Sequence, residues 1–161
     1  MKVYSIYITF TGSSKAEIDE IRQQHDELHK KIAAHVTVVF PFESRADETE
    51  LIRLLNPKMR AKAFSFSVAR EVTQRENIGY LKVLKGTSHF HALYASLNST
   101  LNLENTIPYE PHVTITRNCE PIEKVELQNV EFMTEAVILE KIYSNGRGRI
   151  IYQWPNAESE S

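Results

Sequence analysis

The stretches Ala33–Phe40, AAHVTVVF, and Glu110–Arg117, EPHVTITR, carry the same triplet, His-Val-Thr, at 35–37 and again at 112–114. Both lie in apolar, β-branched runs of the kind that form half-buried strands. In a strand, residues two apart share a face. His35, Thr37 and Val39 are therefore expected on one face, with Val36, Val38 and Phe40 on the other. His112, Thr114 and Thr116 likewise share a face, opposite Val113, Ile115 and Arg117. The valines and isoleucine serve a core. Each opposite face presents an imidazole beside a hydroxyl.

The surroundings of the two triplets match in order. Residues 3–10 alternate, with Tyr4, Ile6, Ile8 and Phe10 against Ser5, Tyr7 and Thr9, and Gly12-Ser13 ends that strand. Ser14 and Glu17 fit a capping box for a helix over 15–31, with Ile18, Ile21, His25 and Leu28 at helical spacing. The first His-Val-Thr strand follows and is expected to stop at Pro41. A short helix over Asp47–Leu55 closes at Asn56-Pro57. Strands are expected at 63–70 and 78–84 around a turn near 74–77. Thr87 or Ser88 is the expected cap of a second long helix, with Phe90, Leu93, Tyr94, Leu97 and Leu101 on one face. After Pro108 and Pro111 comes the second His-Val-Thr strand. A strand over 130–142, a turn at Asn145-Gly146 and a strand Arg149–Trp154 form a hairpin. Strand, helix, His-Val-Thr strand thus occurs twice, although the helix sequences differ. This order predicts two similar lobes facing each other.

Composition sets the bounds. The chain has 161 residues, 42% apolar and 25% charged, with a net charge of −2. That is an ordinary globular composition, and it argues against an extended nucleic-acid surface, which is usually basic. The single cysteine, Cys119, forbids an intrachain disulfide and offers no zinc cluster. The N-terminus lacks the apolar run of a signal peptide or membrane span, so a cytoplasmic protein with no membrane partner is expected. One domain over 1–155 is expected, a monomer, with NAESES at 156–161 as a disordered tail.

The chemistry follows from the residue types. Two histidines serve as general acid and base near neutral pH. Two threonine hydroxyls donate to phosphoryl oxygens. Together His35, His112, Thr37 and Thr114 suit a displacement at phosphorus with no cofactor and no metal. Neither His face carries a carboxylate or cysteine, so a metal set would need remote partners. A single His-x-Thr in a strand is ordinarily structural; two copies in the same setting alter that balance. Tyr7, Tyr80 and Lys82 share faces that can reach a substrate. Arg149 lies in a glycine-rich basic turn, and Arg117 follows the second triplet but on the opposite face by alternation. His25, His29, His89 and His91 read as packing, solvated or cap-region residues, the last two with a weaker case for substrate contact at a helix start.

The paired motif His35-Val36-Thr37-Val38 and His112-Val113-Thr114-Ile115, with Pro111 and Arg117 flanking the second copy, resembles the two-histidine (2H) phosphoesterase superfamily. That superfamily includes 2′-5′ RNA ligase-like proteins and cyclic phosphodiesterases. The resemblance runs from the first strand to about Tyr152. It implies a bilobed α+β fold, an antiparallel sheet in each lobe and a cleft between them. It implies metal-independent hydrolysis of 2′,3′-cyclic phosphates or 2′-5′ phosphodiester bonds of nucleotides or RNA ends. By the same likeness His35 is the acid and His112 the base when a cyclic phosphate opens, with Thr37 and Thr114 binding phosphate. The alternatives are a non-catalytic binder of nucleotides or RNA ends in the same cleft, and a structural domain in which the four side chains do not converge.

Overall fold

The computed structural model describes residues 2–59, 62–104 and 107–156. Along the chain run β1 (Lys2–Thr11), α1 (Lys15–His25), β2 (His35–Ser44), α2 (Glu48–Leu55), β3 (Ser65–Val68), β4 (Thr73–Arg75), β5 (Ile78–Lys85), α3 (Thr87–Thr100), β6 (His112–Arg117), β7 (Glu131–Ile142) and β8 (Gly148–Pro155). The fold is mixed α/β and rich in sheet. All named strand pairs are antiparallel.

The strands pair in the order β1-β2-β6-β5-β3-β7-β8, with β4 on β5, and a further β1–β7 pairing closes six of them into a ring. The two sheets expected from the sequence are therefore joined, at β2–β6 and β3–β7, into one connected sheet. The β2–β6 join is the narrower, with the single register pair Val36↔Val113.

Alternation separates the two faces. Tyr4, Ile6, Ile8 and Phe10 of β1 pack with Val36, Val38, Val113 and Ile115. The buried faces of the helices, Ile18 of α1, Leu51 and Leu55 of α2, and Phe90 and Leu97 of α3, complete that core. On the opposite face of β1 and β7, Tyr7, Ala136 and Ile138 form a small separate cluster. That second face carries the histidines.

Several expected boundaries move for local reasons. Helix α1 ends at His25, not 31, because Asp26 turns extended (φ −125°, ψ 111°) and its carboxylate accepts the Leu28 amide at 2.9 Å. This is the usual competition of a short acidic side chain with the helix ladder. Ser14 and Glu17 form no capping box; they accept the amides of Asn129 (2.8 Å) and Gln128 (3.0 Å), tying α1 to the segment before β7. Strand β2 runs through Pro41 to Ser44, with Pro41 inside a register shift between Val39 and Phe42. An irregularity of that kind tolerates a residue without an amide proton.

Helix α3 is preceded by Gly86, not capped by Thr87 or Ser88. Gly86 has φ +87°, and a Cβ there would sit 2.7 Å from the Ser65 carbonyl. Strand β3 is shorter than expected, and β4 occupies part of the expected turn. Asn156 remains bound to β7 through Glu135 O and Thr134 Oγ1, at 2.8 and 2.7 Å. The rest of the expected tail, 157–161, lies outside the described residues.

Candidate active site

The site starts from the pairing of Val36 with Val113. Antiparallel register then sets His35 across from Thr114 and Thr37 across from His112, all on one face. The two valines between them are fully buried, while the histidines and threonines are half-buried. Strand alternation thus performs the predicted division of labour at both triplets.

Each imidazole is held in the same way. His35 Nδ1 lies 2.7 Å from the Ala33 carbonyl, and His112 Nδ1 lies 2.8 Å from the Glu110 carbonyl. A carbonyl only accepts, so Nδ1 carries the proton and donates in both. The other ring nitrogen, Nε2, has no hydrogen-bond partner among the described residues. Neither threonine hydroxyl has a hydrogen-bond partner among the described residues.

A tyrosine flanks each histidine. Tyr7 of β1 is registered opposite Thr37, and its ring centroid lies 4.5 Å from that of His35 at 45°. Tyr80 of β5 is registered opposite Thr114, and its ring lies 4.5 Å from His112 at 46°. The residues opposite the histidines differ: Thr9 faces His35, and Lys82 faces His112. Lys82 pairs with Glu110 at 3.3 Å, the residue whose carbonyl holds His112. Tyr7 donates to Glu140 of β7 at 3.0 Å, a bond Tyr80 lacks.

Both strands bulge just beyond the triplet. In β2 the register slips near Val38 and Val39, and both side chains enter the core. Val39 therefore leaves the His face, contrary to simple alternation. Phe40 turns out instead, 49% exposed, with its ring stacked 6.4 Å from that of His112. In β6 the slip near Ile115 buries both Ile115 and Thr116. Thr116 leaves the His face, and Arg117 is carried back toward it. An extra residue in one strand reverses the facing of everything after it, which is why alternation misplaced Val39, Phe40, Thr116 and Arg117.

Arg117 enters a buried ionic group. Asp26 Oδ2 accepts from Arg117 Nη1 at 2.5 Å and from Arg22 Nε at 3.0 Å. Arg22 also reaches the Ile32 carbonyl at 2.7 Å. Arg22 and Asp26 are each 2% exposed. Two guanidinium groups on one carboxylate leave an excess positive charge beside β2. Burial lowers the pKa of His35 to about 4, and the charges of Arg117, Arg22 and His112 push the same way against the Ala33 hydrogen bond. His35 is therefore neutral at neutral pH.

The remaining candidates lie elsewhere. Arg149 bonds Glu48 of α2 at 2.5 Å and the Tyr143 hydroxyl at 3.0 Å, and does not join the histidines. His25 rests on Cys119 (3.3 Å), and His29 on the Asp26 carbonyl (3.1 Å). His89 stacks on Phe64 at 4.7 Å, and His91 meets Tyr109 edge-on at 5.3 Å. Tyr109, unremarked in the sequence, donates to the Thr37 carbonyl at 2.8 Å and so braces β2. A cavity of about 710 Å³ beside His89 contains none of the four triplet side chains. A second, of about 590 Å³, begins at Tyr7 and Ala33 and extends over β7 and β8. No group of three or more His, Cys, Asp or Glu is placed to hold a metal ion among the described residues. No helix among them is long and apolar enough to cross a membrane.

The fold has counterparts among known proteins. The chain superposes on E. coli LigT complexed with 3′-AMP with a TM-score of 0.70, at 18% identity over 96% of this chain and 98% of that one. A crystal structure titled as a phosphoesterase gives a TM-score of 0.72 at 16% identity over 97% and 98%. The crystal structure of TT0787 of Thermus thermophilus gives 0.69 at 14% over 99% and 100%. No curated protein matches the chain by sequence. The sequence profile of the 2′-5′ RNA ligase superfamily matches residues 10–137, which include both triplets, and the chain belongs to that superfamily, that of the 2H phosphoesterases.

Proposed function

We propose that the protein is a metal-independent phosphoesterase that opens 2′,3′-cyclic phosphates or cleaves 2′-5′ phosphodiester bonds of nucleotides or RNA ends. The observation that carries this reading is the matched pair of imidazoles, each with Nδ1 fixed by a carbonyl two residues back, whose Nε2 atoms and two neighbouring threonine hydroxyls have no partner among the described residues. The halves of the sheet on either side of the β2–β6 join act as the two lobes, and the cleft lies between Tyr7 and Tyr80. LigT has been crystallised with 3′-AMP, ATP and NADP+, ligands of the same chemical class.

In the reaction His35, neutral, accepts a proton from water at Nε2. The water oxygen bonds to phosphorus in line with the departing ribose oxygen. His112 protonates that oxygen as its bond to phosphorus breaks, and a phosphomonoester remains. Thr37 and Thr114 donate to the non-bridging oxygens as negative charge builds on them. Family likeness alone implied the opposite roles; His35 is assigned as the base because its neutral form is the one able to accept a proton. For the reverse direction, or for 2′-5′ cleavage with the ribose hydroxyl as nucleophile, the pair exchanges roles.

The test is a panel of 2′,3′-cyclic nucleotides and 2′-5′ dinucleotides, assayed with a metal chelator present. Turnover of at least one class, unaffected by the chelator, is expected. Binding without turnover across the panel would replace the enzyme with a nucleotide-binding protein.

A further inference from the structure

Glu140 is a buried charged residue of this face that the proposed chemistry does not use. It stands at the end of the apolar run Ala136–Leu139, on the same side as Ala136 and Ile138, and is 9% exposed. Its single hydrogen bond among the described residues is the one from Tyr7. The other oxygen, Oε1, has no donor among the described residues and is not sealed from solvent, so it can accept from a ligand. The backbone makes room for Glu140: a Cβ on Gly148 would lie 2.5–2.9 Å from its carboxyl atoms. It lines the cavity of about 590 Å³ with Tyr7, Ile150 and Gln153, and the charged lining also includes Lys15, Lys31 and Glu135. That volume is within the range of small-ligand sites, about 300–1,000 Å³.

We infer that this cavity is a nucleobase subsite in which Glu140 selects guanine. The inference rests on the proposed phosphate site at His35 and His112. Tyr7 links the two places, since its ring packs on His35 and its hydroxyl ends at Glu140. Carboxylate and imidazole are thus one tyrosine apart, a separation that a nucleoside bridges from phosphate to base edge.

The donor pattern decides among bases. Burial raises the pKa of Glu140, and the Tyr7 hydroxyl, donating to Oε2, works against that and favours the carboxylate as an acceptor. Guanine presents two adjacent donors, N1–H and the N2 amine, to such a group. Adenine and cytosine place a ring acceptor beside their amine, and uracil has a lone N–H between carbonyls. The ribose hydroxyls do not alter the comparison, because guanosine, inosine and adenosine carry the same ribose. Ile150, 48% exposed in the same lining, supplies apolar surface for the base, and Lys31 suits a 5′ phosphate.

The experiment measures binding of guanosine, inosine and adenosine 3′-monophosphates by calorimetry, which requires no turnover. Inosine keeps N1–H and lacks the N2 amine. Wild type should bind guanosine about tenfold more tightly than adenosine, with inosine between, the size expected for one bidentate base contact. Glu140→Gln, nearly identical in shape, should collapse that order. An absent order in wild type, whether all three bind alike or none binds, overturns the inference, as does an order that survives in Glu140→Gln. Guanine-selective binding without turnover of any cyclic nucleotide would remove the proposed reaction and leave the subsite. Turnover without base preference would do the opposite.

Discussion

Val36 pairs with Val113 at the narrow join between β2 and β6, and that pairing sets His35 opposite Thr114 and His112 opposite Thr37. Each triplet therefore contributes half of two mixed pairs. The tyrosines repeat the relation one strand further out, Tyr7 on His35 and Tyr80 on His112, at the same 4.5 Å.

Thr37 and Thr114 face the same phosphoryl group in this account. Thr37→Val and Thr114→Val remove a hydroxyl and preserve the β-branched shape. Each should lower kcat by about 10²-fold, the effect of losing one donor to a developing oxyanion. Steady-state kinetics on the substrate found in the panel decide this. A change confined to KM would mean that the threonines bind ground and transition states equally.

His35 gives a pH signature. Its folded pKa, about 4, lies below its ordinary value of 6.5. Between these values the unfolded chain holds more protons at this site than the folded one, so stability falls as pH drops through that window and is fully present above it. Thermal melts from pH 7.5 to 4.5 should show a smaller loss in His35→Asn than in wild type. A ring titration of His35 by NMR should have its midpoint near 4. A midpoint at the ordinary value would remove the basis for assigning it as the base.

Asp26 neutralises part of two guanidinium charges, and Arg22 beside it is almost fully buried. Asp26→Ala leaves Arg22 without a counter-charge. A loss of about 3–5 kcal/mol is expected on urea denaturation, as for other broken buried pairs. A loss below about 1 kcal/mol, the range of exposed pairs, would mean that water reaches the group.

Gly86 occupies the left-handed region at φ +87° with the Ser65 carbonyl close by. Gly86→Ala should destabilise the protein by about 1–3 kcal/mol through backbone strain. Chemical denaturation checks it, with an unchanged midpoint as the contrary result.

Much of this was legible in the sequence where periodicity is the governing signal. The strand faces of β1, and of β2 and β6 through Thr37 and Thr114, followed alternation, and the four triplet residues fell where alternation put them. Phe40 and Arg117 did not, because a bulge leaves no mark in a run such as VTVVF or VTITR. The early end of α1 was hidden because Asp26 reads as an ordinary helix residue until its partners Arg22 and Arg117, the latter 91 positions away, are in place. Glu140 was a visible signal left unused, a carboxylate closing the run AVIL. The partner of Arg149 was hidden for a related reason: Glu48 is 101 positions distant.

The central claim is that His35 and His112 act as one acid–base unit. Single-turnover rates of His35→Ala, His112→Ala and the double variant, each shown folded by circular dichroism, test it most directly. Each single variant should lose at least about 10³-fold, and the double variant should be little worse than either, as for residues that act together. If His112→Ala opened a 2′,3′-cyclic phosphate at close to the wild-type rate, the two-histidine mechanism would be wrong.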